Sequence, residues 1–96
     1  MVFCHQPTFW PVDGAGPKCF RGKDFTHLTA DTEKELVAYA KEIGLNVSWI
    51  QKAGTPDVHF DITGKWLQLV LLDRRVEKLD VRAYVAKIQA RRKAVR

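Results

Sequence analysis

The 96-residue chain has few of the features that mark secreted or membrane proteins. Its two cysteines, Cys4 and Cys19, are too few for a disulfide framework, so both are expected to be thiols in a reducing compartment. No apolar run precedes Pro7, so no secretory signal is visible. The longest apolar stretch, residues 66–72, is far shorter than the roughly 20 residues of a membrane span. These absences predict a cytoplasmic protein with no membrane partner.

Familiar catalytic fingerprints are also missing. The sequence contains no Walker loop, no Gly-x-Ser-x-Gly elbow and no His-Glu-x-x-His pair. The glycines at 14 and 16 lack the third glycine and the following helix of a dinucleotide-binding loop. Ser48 is the only serine and falls within a predicted strand, which is a poor place for a nucleophile.

What is present is an ordinary globular composition with an uneven charge. The chain is 46% hydrophobic and 28% charged, which excludes a disordered or collagen-like protein. Its net charge is +5, but residues 73–96 hold nine basic and three acidic side chains, and the rest is close to neutral. This asymmetry predicts nucleic acid or an anionic protein surface as partner. The alternative is a solvated basic helix end.

The pattern predicts one α+β domain, residues 1–96, with a small mixed sheet and about three helices. Residues 1–24 hold three of the four prolines and three glycines, which favours an irregular N-terminal segment with short extended pieces. Residues 25–79 are predicted to form the α/β core. Residues 80–96 are predicted to form a basic C-terminal helix, capped by Asp80, with a stripe of apolar positions every three or four residues.

Within the core, a capping box of Thr32 and Glu35 predicts the start of a helix that ends at Gly44. Residues 45–51 and 76–79 are predicted strands. The alternation in 58–62 predicts a strand with His59 and Asp61 on one face and three apolar residues on the other. The apolar run at 66–72 fits either a buried helix or a buried strand.

Several short motifs occur in a characteristic order: HLTADT at 27–32, IGL at 43–45, WIQ at 49–51 and HFDI at 59–62. Together they resemble a family of small bacterial and phage proteins known as a domain of unknown function, family 4031. The resemblance runs from about Val12 to the last helix, and residues 1–8 look like an added piece. It implies a mixed α/β fold, a helix at 66–72, and a bacterial or phage-infected host cell, but no established activity.

Two positions depart from the family's usual pattern. Phe60 stands where relatives usually have tyrosine, and residues 63–66 replace a usual Ser-Lys-Arg sequence, with Lys65 out of register. The Lys-Arg pair of the relatives is therefore not in place in this chain.

The residues best suited to chemistry are histidines and aspartates, which bind divalent metals and exchange protons near neutral pH. The catalytic candidates are His27, Asp31, His59 and Asp61, and the metal-ligand candidates are Asp13, His27, His59 and Asp61. The hypothesis is one pocket that holds a divalent metal or a phosphorylated ligand. The alternative is a helix cap at Asp31, a structural His59–Asp61 pair and a turn residue at His27. A zinc site of Cys4, His5, Cys19 and His27 lacks the usual ligand spacing.

The candidate nucleic-acid contacts lie in the basic helix and in the N-terminal segment: Arg82, Lys87, Arg91, Arg92, Lys93, Arg96, Trp10 and Phe20. Trp10 and Phe20 are expected to offer stacking faces, whereas Trp49 and Trp66 are expected in the core.

Three functions stay open at this point. The first is a binding or regulatory protein that contacts an anionic partner through its last helix. The second is a metal-assisted hydrolase or nuclease that uses the His/Asp pocket. The third is a protein-binding inhibitor or accessory factor. No cofactor is expected apart from a possible divalent metal.

Overall fold

The structure, a computed structural model, describes residues 1–10 and 22–94, without the side chain of Trp10. The strands are β1 (Val2–His5), β2 (Thr8–Trp10), β3 (Lys23–Ala30), β4 (Phe60–Thr63) and β5 (Val76–Leu79). The helices are α1 (Glu33–Ile43), α2 (Gly64–Leu72) and α3 (Val81–Ala94), with a short 3₁₀ turn at Val47–Trp49. The predicted α+β class is confirmed. None of the described helices is long and apolar enough to cross a membrane.

β3 is the central strand of a five-stranded mixed sheet. β4 pairs antiparallel along one side of β3, while β1 and β2 pair antiparallel along the other side. β5 pairs with β1 in parallel. The register sets His27 opposite Asp61, and Leu28 opposite both Phe60 and Cys4. Side chains from β1, β3 and β4 are therefore aligned in rows across the sheet.

The two faces of the sheet have different coverings. On one face, Leu28, Phe60 and Ile62 are buried with residues of α1 and α2 in the main core. On the other face, α3 packs on β1 and β5, and Tyr84 makes an edge contact with Phe3 at 5.6 Å between ring centroids. Because side chains alternate along a strand, the polar residues between those core positions face the α3 side.

Most predicted helix ends are found in the structure. The Thr32 hydroxyl accepts the Glu35 amide at 3.1 Å, so Thr32, not Asp31, caps α1. Gly44 ends α1 in the left-handed conformation, with φ of 80°. Residues 66–72 lie in α2, which decides the open choice in favour of a helix. Asp80 caps α3 by accepting the Ala83 amide at 2.8 Å.

In the described part of residues 1–24, the short extended pieces are found as β1 and β2, and β1 lies between β3 and β5 and pairs with both. One prediction about local structure is wrong. Residues 45–51 do not form a strand. The Asn46 side chain accepts the Ser48 amide at 3.0 Å and starts the 3₁₀ turn instead, since such local bonds compete with a sheet. Trp49 is consequently 52% exposed rather than in the core.

Asp73, which follows α2, links the end of that helix to Tyr39 of α1 and to Arg75. Its carboxylate accepts the Tyr39 hydroxyl at 2.7 Å and two nitrogens of the Arg75 guanidinium. The Arg75 bonds, assisted by the Tyr39 bond, hold the pKa of Asp73 well below its usual range despite some desolvation.

Asp73→Asn is therefore expected to lower the free energy of unfolding at neutral pH by about 1–2 kcal/mol, because bonds to a charged acceptor are weakened. A carboxyl whose pKa is lowered in the folded state contributes stability above its unfolded pKa of about 3.9 and loses it as pH falls. The difference between wild type and variant should thus shrink below about pH 4 in urea titrations. Glu77→Gln, which removes a carboxylate with no bond to a described residue, is the control; an equal loss there would contradict the assignment.

Candidate metal centre

Three potential ligand atoms meet on the α3 side of the sheet. His27 of β3 lies directly opposite Asp61 of β4, and His59 lies two residues before Asp61 and so faces the same way. The Oδ1 atom of Asp61 is 3.3 Å from Nε2 of His27 and 3.4 Å from Nε2 of His59. All three ligand atoms lie within 4.8 Å of one another. The predicted convergence of these three residues is found.

The hydrogen bond of His59 determines which of its ring nitrogens carries a proton. Nδ1 is 2.7 Å from the carbonyl oxygen of Asp57, which can only accept. Nδ1 must therefore donate, and Nε2 of the neutral ring carries a lone pair. That lone pair faces Oδ1 of Asp61.

His27 is oriented in the same way, through His5. The Nδ1 atom of His5 donates to the carbonyl of Gln6 at 2.7 Å, so its Nε2 atom is an acceptor. This nitrogen accepts the backbone amide of His27 at 3.0 Å and lies 2.9 Å from the ring Nδ1 of His27. His27 therefore donates from Nδ1, and its Nε2 atom presents a lone pair to Asp61.

Without a cation, hydrogen-bond acceptors of three side chains face one another in this arrangement. Oδ1 of Asp61 is buried, and it has no hydrogen-bond partner among the described residues. Two lone pairs of neutral imidazoles and a carboxylate oxygen repel one another, and a buried unsatisfied polar atom costs stability. A cation placed between the three atoms removes both penalties.

The pKa values of the two histidines are shifted in opposite directions. Burial lowers the pKa of His27 to about 4, and the charge of Asp61 only partly opposes this shift, so the ring is neutral at pH 7. Burial also lowers the pKa of His59, but the adjacent Asp61 carboxylate and the bond to the Asp57 carbonyl outweigh this and raise it. The pKa of Asp61 is raised by burial and lowered more strongly by the two histidines. A proton on His59 is thus the competitor of a metal ion at this site.

The geometry and the ligand types suit a divalent transition metal. Metal–nitrogen and metal–oxygen bonds of about 2.0–2.2 Å at a tetrahedral angle separate ligand atoms by about 3.3–3.6 Å, a range that includes both distances from Asp61 Oδ1. Two imidazoles and one carboxylate are ligands for zinc, manganese or iron rather than for magnesium. Among the residues that the structure describes, no other group of three such side chains converges.

Of the other predicted metal and catalytic residues, those that the structure describes lie away from this group. Asp31, just beyond the far end of β3, accepts the Met1 amino group at 2.9 Å. Cys4 is a buried thiol that packs in the main core, on the face opposite His5. Asp13 and Cys19 lie outside the described residues, so the metal prediction for Asp13 remains a prediction.

Several of the predicted nucleic-acid contacts hold α3 to the domain. Arg91 donates to the carbonyls of Pro56 and Ala30 and to the Thr29 hydroxyl. Lys87 lies 4.5 Å above the ring of Phe3. Arg82 and Lys93 are exposed; the structure does not describe Arg96, Phe20 or the Trp10 side chain. Nucleic-acid binding by this helix remains a prediction.

Two residues that contribute to the site are hard to recognise from the sequence alone. The sequence suggests His5 only as a zinc ligand, yet it is 4% exposed and orients His27. The helical spacing places Tyr84 in an apolar stripe, yet its ring packs at 5.1 Å from His5 and stacks near His27. The alternation of Phe3 and His5 in β1 is the one signal that places His5 on the face of the site.

Comparison with known proteins identifies a family but no activity. Residues 12–90 match a family described as "Protein of unknown function (DUF4031)". The match includes all three candidate ligands and leaves out His5. No curated protein and no solved structure matches the chain.

Proposed function

The chain belongs to this family of unknown function, and we propose that it is a metal-dependent hydrolase whose ion is held by His27, His59 and Asp61. The observation that carries the proposal is the fixed orientation of both imidazoles. Each ring donates its Nδ1 proton to a neighbour, so both Nε2 lone pairs are directed at the same unpartnered carboxylate oxygen. Such outer partners are typical of metal-binding histidines.

A catalytic rather than a structural ion is supported by the number of ligands and by the access to them. Structural zinc sites usually have four protein ligands, whereas catalytic sites have three and leave a position for water or substrate. His5 is not a fourth ligand, because its Nε2 atom is already engaged by His27. The His27 side chain is 37% exposed, so solvent reaches one side of the group. An ion with an open position activates water for attack on an ester or a related bond.

Calorimetry with Zn²⁺, Mn²⁺ and Mg²⁺ tests the metal site. We expect one Zn²⁺ or Mn²⁺ per chain and little heat with Mg²⁺, which prefers oxygen ligands. His59→Ala should abolish binding. Asp31→Asn is the matched control, because it removes a carboxylate that lies away from the three ligands. Absence of heat with Zn²⁺ and Mn²⁺ would refute the metal site, as would unchanged binding in His59→Ala.

Turnover is tested separately with chromogenic aryl esters. The zinc- or manganese-loaded chain should hydrolyse p-nitrophenyl phosphate or p-nitrophenyl acetate, and a chelator or His59→Ala should remove the activity. If the protein binds the metal stoichiometrically but hydrolyses neither ester, it is a metal-binding protein, and the hydrolase assignment is contradicted.

A further inference from the structure

A cavity of about 320 Å³ opens beside the metal centre, between the sheet and α3. His27 is one of its walls, so the cavity and the metal centre share a side chain. His5 and Tyr84 line the same side. This volume lies at the lower end of the range for small-molecule sites, which commonly combine apolar walls with a few polar groups.

The wall contributed by α3 is apolar. Val81, Tyr84, Val85 and Ile88 form the helical stripe predicted from the sequence, and all four line the cavity. Tyr84 is 8% exposed, but Val81 and Val85 remain 46% and 44% exposed. Half of this stripe thus presents apolar surface to the cavity instead of packing on the sheet.

Arg92 places a positive charge at the same cavity. Its Nε atom donates to the Asp57 carboxylate at 2.6 Å, and the carbonyl of Asp57 is the group that orients His59. The guanidinium is therefore anchored next to a metal ligand. Its two terminal nitrogens make no hydrogen bond to any residue in the described ranges, 1–10 and 22–94. A guanidinium with free terminal nitrogens binds phosphate or carboxylate oxygens.

We propose that this cavity binds a phosphate monoester of a small apolar or aromatic group, with the group against Val81 and Val85 and the phosphate at Arg92. A phosphate is favoured over a carboxylate because α3 carries five basic and no acidic residues, and a dianion gains more from that field. The inference rests on the proposed function for its chemistry. Water adds to phosphorus, the ester P–O bond breaks, and the leaving oxygen takes a proton from that water, so the products are inorganic phosphate and the neutral alcohol or phenol.

Binding is measured by calorimetry with phenyl phosphate on the metal-free full chain, so the result does not depend on the metal site. Phenyl phosphate should bind at least about tenfold more tightly than inorganic phosphate, because only the ester uses the apolar wall. It should also bind more tightly than benzoate. Arg92→Gln should weaken phenyl phosphate binding about tenfold or more, the effect of losing a charge-assisted bond. Arg82→Gln makes the same charge change on α3 outside the cavity, and it should leave binding unchanged.

Three outcomes would overturn the inference: no phenyl phosphate binding, equal affinity for inorganic phosphate, or equal weakening by Arg82→Gln and Arg92→Gln. Each of them leaves the zinc titration unaffected, so failure of the cavity is distinct from failure of the metal centre. The source of the phosphate is resolved by competition. If a terminally phosphorylated oligonucleotide displaces phenyl phosphate and the same oligonucleotide without the phosphate does not, the ligand is the end of a nucleic acid. If neither oligonucleotide displaces phenyl phosphate, the ligand is a small molecule.

Discussion

Asp61→Asn is expected to make the metal-free protein more stable and to abolish its response to zinc. In the wild-type chain with both rings neutral, the buried Oδ1 atom faces two imidazole lone pairs without a donor, and the histidine charges that lower the pKa of Asp61 are absent. The asparagine amide can donate to one of those nitrogens and carries no charge. We expect a gain of about 1–2 kcal/mol in the free energy of unfolding, measured by urea denaturation with a chelator at about pH 8.

The zinc response should change in the opposite direction. At a free zinc concentration about 100 times the dissociation constant, the wild-type chain should gain about 2.7 kcal/mol, because the ion binds only the folded state. Asp61→Asn should gain almost nothing. A variant that is less stable than the wild type without metal would mean that Asp61 is a structural partner of protonated His59. That result would contradict the metal-centre assignment.

His5→Phe is expected to weaken zinc binding by about 10- to 100-fold, the usual cost of losing an outer partner of a metal ligand. The phenyl ring fits among Phe25 and Tyr84, which already contact the imidazole edge to face. It removes the nitrogen that accepts from His27, so the His27 ring is no longer held with Nε2 toward Asp61. Zinc calorimetry measures the affinity, and the absorption spectrum of the Co²⁺-substituted protein reports any change in coordination.

His5→Gln provides the rescue, because its amide oxygen can accept the bond from His27. We expect it to recover part of the lost affinity. Equal zinc affinity in His5→Phe and in the wild type would show that His5 has no positioning role. If His5→Phe and His5→Gln lose zinc affinity in proportion to their loss of thermal stability, the role of His5 is purely structural.

The parts of the fold that follow from local sequence were predictable. The cap at Thr32, the stop at Gly44 and the start of α3 at Asp80 depend on side chains within a few residues of each other. The position of β1 was not predictable in this way. Its pairing with β3 and with β5 joins segments that are distant in the chain, and the periodicity of apolar residues in the sequence does not indicate such partners.

For the site as well, the features that depend on local sequence were predictable and those that depend on distant strand pairing were not. The alternation at 58–62 was enough to place His59 and Asp61 on one face, away from Phe60 and Ile62. It did not reveal that the pairing of β3 with β4 brings His27 opposite Asp61, or that Asp31 lies beyond the end of the strand in an ion pair with the N-terminus.

By itself, the sequence determined the α+β class, the helix ends, the shared face of His59 and Asp61 and the family of the chain, because each of these is encoded in neighbouring residues or in short motifs. Only the tertiary structure decided that three strands align His5, His27 and Asp61, that two fixed imidazoles face one unpartnered carboxylate oxygen, and that Arg91 and Arg92 bind within the domain. The physical reason is that strand register and tautomer depend on hydrogen-bond partners from distant segments, which come together only when the sheet forms.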